Sequence, residues 1–197
     1  GYQAGQGTQG LYAVAIGILA GLNSQGNSSV AIGNAAGVQS QSANSIAIGN
    51  NSGATNQGLN SVAIGNSAAQ STQGNYTVAV GYQAAQIAQT GGAVAIGSQA
   101  GQSTQGQNAI AIGALAGQSA QSSGAITIGY QAGQTLQGQN AIAIGVLAGQ
   151  NTQQLNGISI GTQAGQYTQG TQAIAIGNSA GNLAQGTSSV SIGYLAG

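Results

Sequence analysis

The stretch Asn44-Ser45-Ile46-Ala47-Ile48-Gly49 decides the fold, because a near copy of it, Asn60-Ser61-Val62-Ala63-Ile64-Gly65, follows sixteen residues later. The closing glycine recurs at the same spacing along the whole chain, at Gly1, Gly17, Gly33, Gly49, Gly65, Gly81, Gly97, Gly113, Gly129, Gly145, Gly161, Gly177 and Gly193. These glycines, taken as position 1, divide the 197 residues into twelve complete 16-residue repeats and the first five residues of a thirteenth. A fixed period of this kind predicts a solenoid in which each repeat forms one turn.

Positions 14 to 16 of each repeat have the pattern of a β-strand. Positions 14 and 16 are always Val or Ile, and position 15 between them is Ala in nine repeats. This large-small-large alternation matches the two-residue period of a strand, and Val and Ile favour strands. Recurrent glycine opposes a helix. The sequence therefore predicts an all-β protein: a parallel β-solenoid, or β-roll, of twelve 16-residue rungs. We expect residues 1–197 to form a single repeat domain, as a segment of a longer array.

The large apolar side chains of positions 14 and 16 are expected to form the core of the coil, because burial of Val and Ile is the main stabilising contribution available. In the first four repeats this predicted core ladder is Val14, Ile16, Val30, Ile32, Ile46, Ile48, Val62 and Ile64. The small residues of positions 13 and 15 are expected on the opposite face, where they would let a second solenoid approach closely.

Position 9 is Gln in all twelve repeats. In stacked turns, each side-chain amide can donate to the carbonyl of the next, as in the amide ladders of cross-β assemblies. The alternative is a solvent-facing turn residue that merely tolerates Gln. The predicted glutamine ladder begins with Gln9, Gln25, Gln41, Gln57, Gln73 and Gln89.

Tyrosines are candidates for contact with a partner, because they recur at positions expected on exposed edges. Positions 2, 3, 7 and 11 vary freely, and an exposed Tyr can stack on a sugar or anchor a protein contact. The alternative is a surface or inter-chain packing residue. The tyrosines that share position 2 are Tyr2, Tyr82, Tyr130 and Tyr194.

The composition excludes most other chemistry. The chain contains no Lys, Arg, Asp, Glu, His or Cys. The chain therefore lacks the side chains that usually perform acid–base catalysis, coordinate metals or neutralise nucleic-acid phosphates. We therefore predict no enzyme activity, no catalytic, cofactor-binding or metal-binding residues, and no nucleic-acid partner. The longest apolar run, Leu11 to Leu22, is too short for a helical membrane span, which needs about 20 residues.

The tract Asn60-Ser61-Val62-Ala63-Ile64-Gly65 and its repeats resemble the head repeats of YadA-type trimeric autotransporter adhesins. Similar Ala-Ile-Gly repeats occur in phage and large-virus fibre proteins. The resemblance implies a left-handed parallel β-roll, assembled as a homotrimer and displayed on a bacterial cell or virion surface. The chain departs from the family in its strict 16-residue period and its lack of charge.

The expected function is that of a non-enzymatic, extracellular structural or adhesive fibre segment. Its expected partners are copies of itself, as a trimer first and a filament second, and a surface glycan or matrix protein. Two alternatives stay open: a filament subunit that assembles end to end, and an ice-binding solenoid. The ice-binding alternative rests on threonines at position 8, namely Thr8, Thr72, Thr104, Thr152 and Thr168. Ala88, Ala120, Leu136 and Ala184 interrupt that array.

Overall fold

The computed structural model describes residues 1–197 and contains strands and turns only. It confirms the predicted class, an all-β parallel solenoid of about twelve turns with a 16-residue spacing. The chain divides into two compact units, Gly1–Gln99 and Ala100–Gly197. That residues 1–197 form one repeat domain stays a prediction.

Each turn contributes a short strand near position 9 and a three-residue strand at positions 14 to 16. In the first unit the strands are β1 Thr8–Gln9, β2 Val14–Ile16, β3 Ser24–Gln25, β4 Val30–Ile32, β5 Gln39–Gln41, β6 Ile46–Ile48, β7 Thr55–Gln57, β8 Val62–Ile64, β9 Thr72–Gln73, β10 Val78–Val80, β11 Ala88–Gln89 and β12 Val94–Ile96. In the second unit they are β13 Thr104–Gln105, β14 Ile110–Ile112, β15 Ala120–Gln121, β16 Ile126–Ile128, β17 Leu136–Gln137, β18 Ile142–Ile144, β19 Thr152–Gln153, β20 Ile158–Ile160, β21 Thr168–Gln169, β22 Ile174–Ile176, β23 Ala184–Gln185 and β24 Val190–Ile192.

Within each unit the odd-numbered strands form one parallel sheet and the even-numbered strands form the other. We call these the glutamine sheet and the valine–isoleucine sheet. The register equals the sequence period, so that Val62 pairs with Val78 and Ala63 with Ala79. Identical positions therefore stack on one another from turn to turn. The structure contains no helix of the length and apolar character that a membrane span requires.

The predicted core is wrong, because the large apolar side chains face outward. Val14, Ile16 and Ile64 are 40%, 57% and 36% exposed. The other predicted core residues, Val30, Ile32, Ile46, Ile48 and Val62, are only partly buried. The residues between them point the other way, since side chains alternate along a strand, and Ala31, Ala47 and Ala63 are fully buried.

Small residues fill the interior of each coil. In the second to eleventh turns, the alanines at positions 4 and 15 are buried, together with the Ala, Ser or Thr side chains of position 13. A buried glutamine from position 9 lies among them in each turn from the second onward. The physical reason is volume: a coil of 16 residues leaves too little space for two large side chains per turn. The same burial contradicts the expectation that the alanines of positions 13 and 15 contact a second chain.

The glycine at position 1 is required by close backbone contact between turns. Gly65 has a φ of +129°, and a Cβ built there would lie 2.5 Å from the carbonyl oxygen of Gly81 in the next turn. A side chain at this position would force neighbouring turns apart, so the glycine period follows directly from the stacking.

Candidate interaction surface

The outer face of the valine–isoleucine sheet is the most regular apolar surface of the chain. Positions 14 and 16 carry Val or Ile in all twelve turns. In the second unit Ile112, Ile128 and Ile160 are each 36% exposed, since neighbours in the stack cover only their flanks. Contiguous apolar surface of this kind marks an interaction site in soluble proteins. We call this surface the valine–isoleucine face.

The outer face of the glutamine sheet has a different character. Position 8 there carries mostly small or polar side chains, and Leu136, 51% exposed, is its one large apolar residue. Threonine occupies only some of the turns: Thr8 and Thr72 in the first unit, and Thr104, Thr152 and Thr168 in the second. This face therefore presents neither an apolar surface nor a regular threonine array.

The glutamines of position 9 lie inside the coil, which excludes the solvent-facing alternative for Gln25, Gln41, Gln57, Gln73 and Gln89. Gln9, in the first turn, is exposed. The side-chain amides of most buried glutamines reach across the interior to the opposite sheet. There they donate to the position 14 carbonyl of the preceding turn, as from Gln25 Nε2 to the Val14 oxygen at 2.7 Å. Gln41, Gln57, Gln73 and Gln89 make the same bond at 2.7–3.0 Å. Gln137 Nε2 instead donates to Gln153 Oε1.

Amide-to-amide bonds, which the sequence predicted as the ladder, are a secondary feature. Among the six predicted residues, one such bond links Gln73 to Gln89 at 3.4 Å. In the second unit they are shorter, at 2.7 Å from Gln137 to Gln153 and from Gln153 to Gln169. The buried Oε1 atoms of Gln25, Gln41, Gln57, Gln73, Gln121 and Gln137 have no hydrogen-bond partner. The glutamines thus chiefly connect the two sheets by hydrogen bonds across the interior.

A second amide ladder lies at position 6 and was missed from the sequence. In the second unit each amide donates to the one a turn earlier, through Gln118, Gln134, Gln150, Gln166 and Asn182, at 2.9–3.2 Å. In the first unit Leu22, Val38 and Ala54 occupy this position, and only Gln86 donates to Gln70, at 3.0 Å. The sequence signal that could have revealed this ladder is the run of seven glutamines at a 16-residue spacing from Gln70 to Gln166.

The tyrosines of position 2 are exposed, as expected. Tyr82 and Tyr130 are about half exposed, and Tyr2 and Tyr194 are more so. Their contact with a partner stays a prediction. Sequence reasoning passed over Tyr167, at position 7, which is 46% exposed.

Comparison with known proteins supports the predicted resemblance. The family model of the YadA head domain repeat matches the chain in two overlapping copies, at residues 24–52 and 40–68. Each copy includes two strands of the valine–isoleucine sheet and the glycines that follow them. This match indicates an adhesin-like β-roll segment. Searches of curated proteins and of solved structures gave no significant match.

Proposed function

We propose that the chain is a non-enzymatic segment of an adhesive surface fibre, built from three copies that pack through their valine–isoleucine faces. The observation that carries this proposal is the outward orientation of Val and Ile at positions 14 and 16 in both units. The match to YadA head repeats supports the adhesive role, the trimer, the left-handed coil and display outside the cell or virion.

The packing follows from the hydrophobic effect. Each turn holds two β-branched apolar side chains partly in water, and burying that area against another chain is favourable at about 25 cal/mol per Å². The chain carries no charged side chain, so no electrostatic repulsion opposes close approach. The rows of β-branched side chains, stacked in register, also form a ridged surface. Side chains of neighbouring copies can interdigitate along these ridges.

Adhesion is assigned to the surfaces that this packing leaves open. These are the outer face of the glutamine sheet and the variable turn residues, which include the exposed tyrosines. A surface glycan or a matrix protein is the partner class proposed for them. Neither the ice-binding nor the end-to-end filament alternative gains support from the comparisons.

Sedimentation velocity at several chain concentrations tests the assembly. The expected result is one stable species of three chain masses, each 18.7 kDa. A monomer at all concentrations would contradict the trimer, and open-ended growth would favour the filament.

A matched pair of substitutions tests which face is buried in the trimer. Ile128→Asp places a carboxylate on the valine–isoleucine face, and Leu136→Asp places one on the outer face of the glutamine sheet. Burying three unpaired carboxylates is strongly unfavourable, so Ile128→Asp should dissociate the trimer. Leu136→Asp should leave it intact. Dissociation by Leu136→Asp alone would assign the interface to the other sheet.

A further inference from the structure

The valine–isoleucine face is too regular to fix, by itself, how far one copy is displaced along another. Positions 14 and 16 carry Val or Ile in every turn, and successive turns lie about 4.8 Å apart. A copy displaced by one whole turn would therefore meet almost the same side chains. Register is specified only where a shift changes the side chains in contact. Alignment of the copies thus requires a feature that differs from turn to turn.

Residues 145–160 form a turn of the second unit that carries large apolar side chains on both sides of the valine–isoleucine sheet. The chain leaves this sheet on one side through Val146 and Leu147 and returns to it on the other side through Leu155. Val146 is 43% exposed and Leu155 is 42% exposed, and Leu147 is partly exposed. In this turn the apolar surface therefore extends past both edges of the valine–isoleucine face.

The neighbouring turns do not share this arrangement, because polar side chains replace part of it in each direction. The residues equivalent to Leu155 are Gln139 one turn earlier and Thr171 one turn later. The residues equivalent to Val146 and Leu147 are Tyr130 and Gln131 one turn earlier, and Thr162 and Gln163 one turn later. A displacement of one turn in either direction would therefore change what the two edges present.

The backbone at Leu147 is a second, independent sign of an outside contact. Its φ is +60°, in the left-handed region that disfavours bulky side chains. The equivalent residue has a positive φ in every turn, and polar residues such as Gln131 and Gln163 occupy most of these positions. A strained leucine whose side chain is partly in water is expected where that side chain packs against another molecule.

A ring of three copies brings the two edges of this turn together. With the valine–isoleucine faces turned toward a common axis, each copy meets one neighbour with its Leu147 edge and the other with its Leu155 edge. We infer that Leu155 of one copy packs against Val146 and Leu147 of the next, and that this contact aligns the copies without displacement. A copy that slips by one turn loses its contacts with both neighbours. The inference rests on the proposed trimer and adds the residues that align it.

Disulfides between introduced cysteines test the alignment, because the chain has no cysteine of its own. Thr162 and Thr171 lie on the two edges of the following turn, outside the apolar contact. Oxidation of the double variant Thr162→Cys, Thr171→Cys should link aligned copies into covalent trimers, which gel electrophoresis without reductant detects. The double variant Thr162→Cys, Thr187→Cys reports a copy displaced by one turn. A disulfide requires Cβ atoms within about 4.5 Å, so the two variants distinguish turns spaced about 4.8 Å apart. The first variant should give most of the covalent product.

Leu155→Gln, which introduces the residue found one turn earlier, tests the assigned contact in both cysteine variants. The ratio of aligned to displaced product should fall about fivefold or more, because the aligned state loses the burial of a leucine. Leu136→Gln is the matched control, since Leu136 is also exposed but lies on the outer face of the glutamine sheet. It should leave the ratio unchanged.

Three results would overturn the inference: equal product from the two cysteine variants, a ratio that Leu155→Gln leaves unchanged, or an equal fall with Leu136→Gln. Sedimentation velocity of the reduced cysteine variants separates this inference from the assembly proposal. A trimer that neither cysteine pair links would refute the edge contact alone, whereas a monomer would refute the trimer as well.

Discussion

The two sheets of each coil place side chains of opposite size in the interior. The valine–isoleucine sheet places its smallest residues inside and its largest outside, as Ala143 and Ile144 illustrate. The glutamine sheet places its longest side chain inside, as with Gln153, and mostly small or polar residues outside. One side chain per turn therefore crosses the interior, and the facing alanine leaves room for it. Volume and hydrogen bonding therefore determine which residues lie inside. The large apolar side chains lie outside, where we propose that they contact other copies of the chain.

The largest effect is expected from removing one of the crossing amides. Gln153 Nε2 donates to the Ile142 carbonyl at 2.8 Å and to Gln169 Oε1 at 2.7 Å, and Gln153 Oε1 accepts from Gln137 at 2.7 Å. Gln153→Leu should lower the free energy of unfolding by more than about 2 kcal/mol, because several buried polar groups lose a partner at once. Urea denaturation followed by circular dichroism measures it. Gln9→Leu, at the exposed end of the same column, is the control and should cost far less.

The next effect separates the two faces of one strand. Ala143 is fully buried, so Ala143→Leu should destabilise the coil by about 1–3 kcal/mol through overpacking. Ile144 faces outward, and Ile144→Leu conserves volume there and should change stability little. The same denaturation experiment compares them. If Ala143→Leu were as stable as the unmodified chain, the interior would have room for large side chains. That result would contradict the explanation of the small-residue interior by volume.

A smaller, stabilising effect is expected where the glutamine sheet leaves an acceptor unpaired. Ser159 Oγ donates to Gln169 Oε1 at 2.7 Å, whereas Ala47 occupies the equivalent place beside the unpaired Gln57 Oε1. Ala47→Ser should therefore raise the free energy of unfolding by about 0.5–1.5 kcal/mol. Ala175→Ser is the matched control, because Gln185 Oε1 already accepts from Gln169. A gain in the control as large as in Ala47→Ser would assign the effect to something other than the unpaired oxygen.

These contrasts show which parts of the fold follow from the sequence. The glycine spacing at Gly49, Gly65 and Gly81 predicts the stacking and register, because each glycine contacts the next through backbone atoms alone. The alternation at Val62, Ala63 and Ile64 shows which side chains share a face, but the same pattern fits either face inward. Hydrophobicity alone favours Val and Ile inside. Which face points inward depends on the width of the coil, and the sequence of one repeat does not reveal that width. The hydrogen bond from Gln25 to the Val14 carbonyl could not be predicted either, since it depends on the same width.

The smallest expected effect is that of pH, and it applies to both sheets alike. Stability depends on pH only where folding changes the protons bound to a group, and the chain has no Asp, Glu, His or Lys side chain to contribute. Neither the crossing amides nor the outward Val and Ile titrate. The melting temperature should therefore stay constant from about pH 4 to about pH 9. Thermal melts in a series of buffers measure it, with ionic strength held constant. A change of many degrees would contradict the conclusion that neutral amide hydrogen bonds and apolar packing hold the fold together.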